Sequence, residues 1–321
     1  MQHFNEALTQ LTATLLPAVV SLKVRTKKDP GTPLLPKQHP PLNDDDLPVV
    51  TGSGFIIRAS GLVLTNYHVI EDSLSIEARL HDGDTTSATV LGRDPLGDIA
   101  LLQLAAGRPL PVLPLGSSGA TRLGELVLAI GSPFGFEHTI TLGIISGKKR
   151  HFLRAGVVGG YLQTDAPLTT GNSGGPLVNM RGEVVGINTA IVGRGEVGLA
   201  VPIDAVKELL GQLHASGSVL RGWLGVQLRP LDRARAQALG LDMPHGAYVY
   251  EVMPHQPAHQ AGIAAGDVIV SFDGKTVLTP GDLQGAVAAT PVGKKVRVEL
   301  LRARNRRTVE VALGKMPPLK E

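Results

Sequence analysis

Three residues of this chain have the types and settings needed to cleave an acyl bond by nucleophilic attack. The first is Ser173, in Gly171-Asn172-Ser173-Gly174-Gly175-Pro176. A serine oxygen that attacks a carbonyl needs backbone N–H groups nearby to hold the charge developing on the attacked oxygen. Glycines on both sides let the chain turn tightly enough for such donors to converge, and Gly171 and Ser173 would supply them. Alone, this segment is weak evidence, because most Gly-rich serine segments are simply turns. Serine also needs a base, and His68 stands just after the apolar run Leu62-Val63-Leu64-Thr65. An imidazole base must be held in one tautomer by a carboxylate. Asp98 stands immediately before Ile99-Ala100-Leu101-Leu102. A carboxylate at the mouth of a buried run is costly unless it is paired, so its position asks for a partner.

The elements around these residues read as short strands. Gly54-Phe55-Ile56-Ile57, Gly61 to Thr65, Ile99 to Leu104, Glu125 to Ile130 and Glu183 to Asn188 are β-rich runs between Gly-containing turns. No long amphipathic helix interrupts them, which favours a mainly β sandwich or barrel over a doubly wound α/β sheet. With 39 Gly, 23 Pro and 3% aromatics, the composition points the same way. Asn5 to Leu16 has helical spacing, giving an N-terminal helix within 1–17; the proline-rich, acidic stretch 25–50 reads as an exposed loop. After Pro202, Val206, Leu209, Leu210 and Leu213 again have helical spacing, with Gly217 as a stop. A second set of strands follows, with short helices expected at Gln256 to Gly262 and Asp282 to Ala289. The expected domains are therefore 1–217 and a small α+β module, 218–321.

The bulk properties exclude several functions. A net charge of +3 over 321 residues is small. The densest basic clusters, Lys148-Lys149-Arg150 and the run Arg302 to Arg307, lack interleaved aromatics, and the second reads as a hairpin tip. Nucleic acid is therefore not an expected partner. Without cysteine there are no disulfides or Cys-metal sites. His255 and His259 are four apart, but Pro257 lies between them and no acidic cluster joins them, so no metal is expected. No phosphate-binding Gly-Lys-Ser/Thr loop is present, and no cofactor is expected. The apolar stretch Leu11 to Val20 is broken by Thr12, Thr14 and Pro17, so it reads neither as a signal peptide nor as a membrane span.

Taken together, the segments around His68, Asp98 and Ser173, in that order, follow the chymotrypsin-type arrangement and resemble those of the HtrA (DegP/DegQ/DegS-like) serine proteases. Tyr161-Leu162-Gln163-Thr164-Asp165-Ala166, Gly143-Ile144-Ile145-Ser146-Gly147 and Val197-Gly198-Leu199-Ala200-Val201-Pro202 are similar to further blocks of that family. The resemblance spans about residues 50 to 315. It implies a trypsin-like double β-barrel with His68 as general base, Asp98 orienting it, Ser173 as nucleophile and the amides of Gly171 and Ser173 as oxyanion hole. The stretch Pro167-Leu168-Thr169-Thr170 departs from the family's usual Ala-Ile-Asn-Pro-like sequence, which puts the resting shape of this loop in question. Trypsin-type enzymes that select basic side chains place a carboxylate six residues before the serine. Pro167 stands there, and Asn188, Thr189, Ala190 and Ile191 are expected to wall the S1 pocket. Small or medium aliphatic P1 residues are therefore expected.

In the second module, Trp223-Leu224-Gly225-Val226 forms a hydrophobic-x-Gly-hydrophobic loop that can aim N–H groups at a terminal carboxylate. Pro257 to Ile263 and Ala265 to Ile269 resemble two further PDZ blocks, so a PDZ domain binding C-terminal peptides is expected. The resemblance also implies ATP-independent quality control of unfolded or mislocalised proteins, homotrimers with larger assemblies left open, and regulation from the PDZ domain through Arg150. It implies a periplasmic or cell-envelope location, with the targeting segment absent from this chain; the composition suits a cytoplasmic one equally. A non-enzymatic chaperone or peptide-binding scaffold is the alternative reading.

Overall fold

The computed structural model describes residues 2–26, 48–132, 138–150, 160–169, 171–192 (side chains of 190–192 excepted), 197–240 and 243–317. The chain divides into two compact units, Met1–Val219 and Leu220–Glu321.

The first unit is built of two closed six-stranded barrels. Strands β1 (Val19–Thr26), β2 (Val49–Arg58), β3 (Leu62–Thr65), β4 (Ser73–Arg79), β5 (Thr85–Asp94) and β6 (Ile99–Leu104) form one, in the order β1-β2-β3-β6-β5-β4. Strands β7 (Leu126–Gly131), β8 (Thr139–Arg150), β9 (Tyr161–Thr164), β10 (Pro176–Asn179), β11 (Val184–Val192) and β12 (Val197–Pro202) form the other, in the order β10-β11-β12-β9-β8-β7. Closure removes exposed strand edges, and it forces alternate residues of each strand into the barrel interior. Val20, Leu22, Val24, Ile56, Val63 and Leu102 fill the first interior. Val127, Ala129, Ile145, Leu162 and Leu177 fill the second. A further cluster, with Phe55, Leu64, Leu101, Ile130 and Ile187, draws residues from both barrels.

Helix α1 (Gln2–Leu15) packs Leu8, Leu11 and Leu15 against that shared cluster and ends in the 3-10 turn Leu16–Ala18. The expected loop 25–50 is shorter than its composition suggested. Arg25 and Thr26 complete β1, and Val49 and Val50 open β2, because the antiparallel pairing Arg25↔Val49 extends the barrel past the polar residues. Residues 27–47 lie outside those described. Helix α2 (Tyr67–Ile70) is a single turn, and α3 (Ile203–Ser216) closes the unit with Gly217 in the left-handed region at φ 69°. Among the described residues no helix is long and apolar enough to cross a membrane.

The second unit contains β14 (Val226–Pro230), β15 (Ala247–Val252), β16 (Val268–Phe272), β18 (Lys295–Arg302) and β19 (Asn305–Ala312) in one antiparallel sheet, in that order, with β17 (Lys275–Thr276) paired to β16. Strand β13 (Gly222–Trp223) pairs with β20 (Gly314–Lys315). The helices are α4 (Arg233–Ala238), α5 (Pro257–Gln260) and α6 (Pro280–Ala289). The last starts two residues before the expected Asp282, because Thr279 and Asp282 form a capping box around Pro280. The basic run Arg302 to Arg307 is indeed a hairpin turn, with Ala303 and Arg304 at positive φ.

Asp267 anchors this unit. It is 1% exposed, accepts the Ala264 amide at 2.9 Å and meets Arg302 in a two-pronged pair, Nε–Oδ1 and Nη2–Oδ2 both at 2.7 Å. Arg302 keeps 31% of its side chain exposed, so loss of its partner costs the charged hydrogen bonds and not a stranded buried charge. Asp267→Ala should therefore destabilise this unit by about 1.5–3 kcal/mol. Denaturant unfolding followed by the unit's sole tryptophan, Trp223, should read this loss, and an unchanged midpoint would contradict it.

Candidate active site

The described pieces of the site come from the ends of strands in both barrels. His68 follows β3 on the one-turn helix α2, where Asn66 takes the extended conformation that precedes the helix. Asp98 sits in the turn entering β6 and holds a left-handed backbone at φ 53°, an unusual state for a residue with a Cβ. That turn aims its carboxylate back at His68. Nδ1 of His68 lies 2.9 Å from Oδ1 and 2.8 Å from Oδ2 of Asp98, and the His68 amide donates to Oδ1 at 3.0 Å. Because a carboxylate can only accept, Nδ1 carries the proton and Nε2 presents its lone pair. Asn66 Nδ2 donates to the Asp98 carbonyl at 2.9 Å, which fixes the strained turn from the other side.

Partial burial of the imidazole pulls the His68 pKa down, but the Asp98 hydrogen bond and charge, with a smaller contribution from Glu71, outweigh it. The net result is a pKa above the usual histidine value. One edge of the ring stays accessible, with 43% of the side chain exposed.

Ser173 stands between Gly171 and Gly174, which have φ of 102° and 85°. Its loop is stitched to the first barrel by Ser53 of β2. The Ser53 amide donates to the Ser173 carbonyl at 2.8 Å, and its hydroxyl donates to the Gly171 carbonyl at 2.6 Å. Thr65 Oγ1 donates to the Ser53 carbonyl at 2.7 Å. A Cβ on Gly174 would stand 2.1 Å from that same carbonyl oxygen, so only glycine fits there. Among the described residues, the amides of Gly171 and Ser173 donate to nothing.

The Ser173 hydroxyl itself donates to the Thr189 carbonyl at 3.3 Å, and among the described residues it makes no hydrogen bond with His68. Thr189 was expected to wall a substrate pocket. Its hydroxyl donates to Asp98 Oδ2, and the residue is 8% exposed. The cause is a bulge in β11: Asn188 pairs with Ala200 and Ala190 with Leu199, leaving Thr189 as the extra residue and re-aiming it toward Asp98. The Asn188 side chain is fully buried, donating to the carbonyls of Pro176 at 3.0 Å and, more weakly, Ile130 at 3.4 Å, so it braces the barrel. The side chains of Ala190 and Ile191 lie outside the described residues. Ser53 and Asn66 are the residues of this site that sequence reasoning missed, because their partners lie in distant segments; Thr189 was named for a pocket wall and not for its bond to Asp98.

Of the departing stretch, Leu168 packs against the second barrel's core, Pro167 accepts from Thr141 Oγ1 at 2.7 Å through its carbonyl, and Thr169 accepts the Asn172 amide at 3.0 Å. Thr170 lies outside the described residues. Arg150 closes β8 opposite Tyr161 and donates through Nε to Gln163 Oε1 at 2.8 Å. It touches neither His68, Asp98 nor Ser173.

In the second unit, Gly225 takes φ 79°, and a Cβ there would meet the Gln256 side chain at 2.2 Å. Trp223 Nε1 donates to Gln256 Oε1 at 3.0 Å, and the carbonyls of Leu224 and Gly225 accept from Ala258 and Met253. The loop's carbonyls are thus turned inward, while the amides of Leu224 and Gly225 donate to nothing among the described residues. Val226 then opens β14, the edge strand.

Paired barrels, a histidine held by a carboxylate and a serine in a glycine loop define the trypsin-like class of serine proteases. The family comparisons agree: residues 52–187 match the trypsin-like peptidase domain, and residues 222–313 match the PDZ domain. A probable periplasmic serine endoprotease, DegP-like, from Pseudomonas fulva is 45% identical over 270 residues, 83% of this chain and 56% of the relative. A protein of the same description from Hahella chejuensis is 42% identical over 271 residues. The chain thus spans just over half the length of these curated relatives. Among solved structures, the HtrA-type protease AlgW with a decapeptide aligns with a TM-score of 0.80 at 34% identity, covering 97% of this chain and 99% of that one. The serine endoprotease from Yersinia pestis aligns at 0.72 with 31% identity, covering 96% and 98%. This chain belongs to the HtrA family of serine proteases, and residues 222–313 supply a PDZ domain.

The His68–Asp98 pair has a measurable consequence. An NMR titration should place the His68 midpoint above about 6.5. Asp98→Asn removes the charge that favours imidazolium and leaves the burial effect, so the midpoint should fall. A midpoint insensitive to this substitution would contradict the pairing.

Proposed function

We propose that this chain is an ATP-independent serine endopeptidase of protein quality control, acting on unfolded or mislocalised proteins. The observation that carries the reading is the Asp98–His68 pair, which leaves Nε2 basic, together with two unengaged amides flanking Ser173. In this mechanism the Ser173 hydroxyl leaves the Thr189 carbonyl and donates to His68 Nε2. His68 takes the proton as Oγ attacks the peptide carbonyl, and the amides of Gly171 and Ser173 receive the oxyanion. Asp98 stabilises the imidazolium, and Thr189 and Asn66 hold Asp98. Protonation of the leaving amine by His68 gives an acyl-enzyme, which water then hydrolyses by the same route.

The bond from Ser173 to Thr189 marks a resting arrangement, which suits an enzyme that is switched on by ligand. We assign the switch to peptides binding with a free C-terminus at Trp223-Leu224-Gly225-Val226, relayed through Arg150 at the end of β8. With Pro167 where basic-selective enzymes carry an acid, the S1 pocket takes small or medium aliphatic residues, walled by the segment Asn188-Thr189-Ala190-Ile191. We place the protein in the periplasm, as its relatives are named, and in a homotrimer.

Casein digestion tests the reading. Ser173→Ala should abolish cleavage, and the wild-type products should end mainly in Val, Ala, Ile or Leu. Cleavage surviving the substitution would overturn the proposed nucleophile, and products ending in Lys or Arg would overturn the pocket. Suppressed aggregation with no cleavage by the wild type would favour the scaffold reading instead.

Arg150→Ala should keep basal peptide hydrolysis and lose most of its stimulation by added C-terminal peptide. Unchanged stimulation would remove Arg150 from the relay.

A further inference from the structure

The edge strand of the PDZ domain carries chemistry that goes beyond recognition of a carboxylate. Strand β14 lies at the end of its sheet, and α6 packs against it. Val226 and Leu228 turn toward the core cluster that includes Leu283 and Val287 of α6. Gln227 and Arg229 are exposed on the opposite face. There the Arg229 guanidinium lies over the ring of Tyr250 at 3.5 Å from its centroid, and Tyr250 is itself 46% exposed. Stacking holds the long side chain near the sheet and leaves its N–H donors free. Among the described residues Arg229 forms no ion pair. Glu251, the carboxylate on the neighbouring strand, pairs in register with Gln227 and not with Arg229.

We infer that this PDZ domain selects C-terminal peptides bearing Asp or Glu as the fourth residue from the end, with Arg229 as the selecting side chain. The inference rests on the reading of Trp223 to Val226 as a carboxylate-binding loop. A peptide whose terminal carboxylate meets the Leu224 and Gly225 amides adds to β14 as an antiparallel strand, with its last residue opposite Val226. Antiparallel pairing runs one residue to one, so the next three stand opposite Gln227, Leu228 and Arg229. Directly paired residues share a face with Cβ atoms about 4.5–5.5 Å apart. The last and third side chains therefore turn toward α6, and the second and fourth turn to the exposed face. Only the fourth meets the cation; the second sits beside Gln227, across from Glu251, where an acid gains nothing.

Fluorescence anisotropy with the full-length Ser173→Ala chain, which cannot turn the probe over if Ser173 is the nucleophile, tests the inference. The probes are labelled heptapeptides ending in Val, with Glu, Gln or Lys as the fourth residue from the end, and one with Glu as the second. An exposed pair contributes up to about fivefold, so attraction of Glu and repulsion of Lys should separate those two by about tenfold at low salt. The separation should shrink in 0.5 M salt, a concentration at which the Debye length is roughly 4 Å. Adding Arg229→Glu should invert the order, and Arg229→Gln should make the three affinities equal. Glu at the second position should bind no tighter than Gln at the fourth. Carboxylate-dependent binding that ignores the fourth residue, or an order unchanged in Arg229→Glu, would overturn the inference alone. C-terminally amidated peptides that bind as well as free acids would overturn the carboxylate-loop reading and the inference with it.

Discussion

Ser53 holds together what the two barrels must share. It belongs to the first barrel, yet its amide and hydroxyl grip the carbonyls of Ser173 and Gly171, which belong to the loop opening the second. Its own carbonyl is held by Thr65, immediately before the turn that carries His68. It is fully buried, so none of these bonds competes with water, and each would leave a costly unpaired group if lost. The glycines follow from this seam. Gly174 lies against the Ser53 carbonyl with no room for a Cβ, and Gly52 is pressed against Val69, whose methyl groups would stand 2.5 and 2.9 Å from an added Cβ. The pose of the nucleophile loop is thus a property of a strand more than a hundred residues earlier.

Around Asp98 the same logic is electrostatic. A carboxylate at the barrel seam is tolerable because three donors meet it, the His68 amide, His68 Nδ1 and the Thr189 hydroxyl. The strained left-handed backbone at Asp98 persists because Asn66 holds its carbonyl while these donors hold its side chain. Thr189 joins this network to Ser173, since its hydroxyl reaches Asp98 and its carbonyl receives the serine hydroxyl. One bulged residue therefore touches both Asp98 and Ser173. A bulge is a stable backbone feature, whereas a single 3.3 Å hydroxyl contact is easily exchanged.

The PDZ unit separates its tasks in a comparable way. Asp267 and the partly exposed Arg302 form a charged pair at the end of β18, Gly225 and Gln256 shape the loop, and the edge strand is left open. The family comparisons describe the same pair of modules in the same order, and the resemblance to AlgW extends over nearly the whole chain.

Much of this was legible in the residues alone. Short β-rich runs with turn signals announced a mainly β protein, since alternation along a strand is a local property. His68 and Asp98 were visible because each adjoins an apolar run, and Ser173 because glycines flank it, in an order known for one architecture. Trp223 to Val226 was visible because a glycine between hydrophobic residues marks a special turn. Contacts that bridge distant segments were not visible. Nothing local in Ser53 shows that it binds Gly171, a separation of 118 residues. Nothing in Asn188-Thr189 shows a bulge, and a one-residue slip exchanges which of two neighbours faces the site. Residue types and order determined the class of chemistry and the two modules; barrel closure, register and the bulge decided which groups hold Ser173, Asp98 and Arg229 in place, because hydrogen bonds between strands depend on pairing that no single segment encodes.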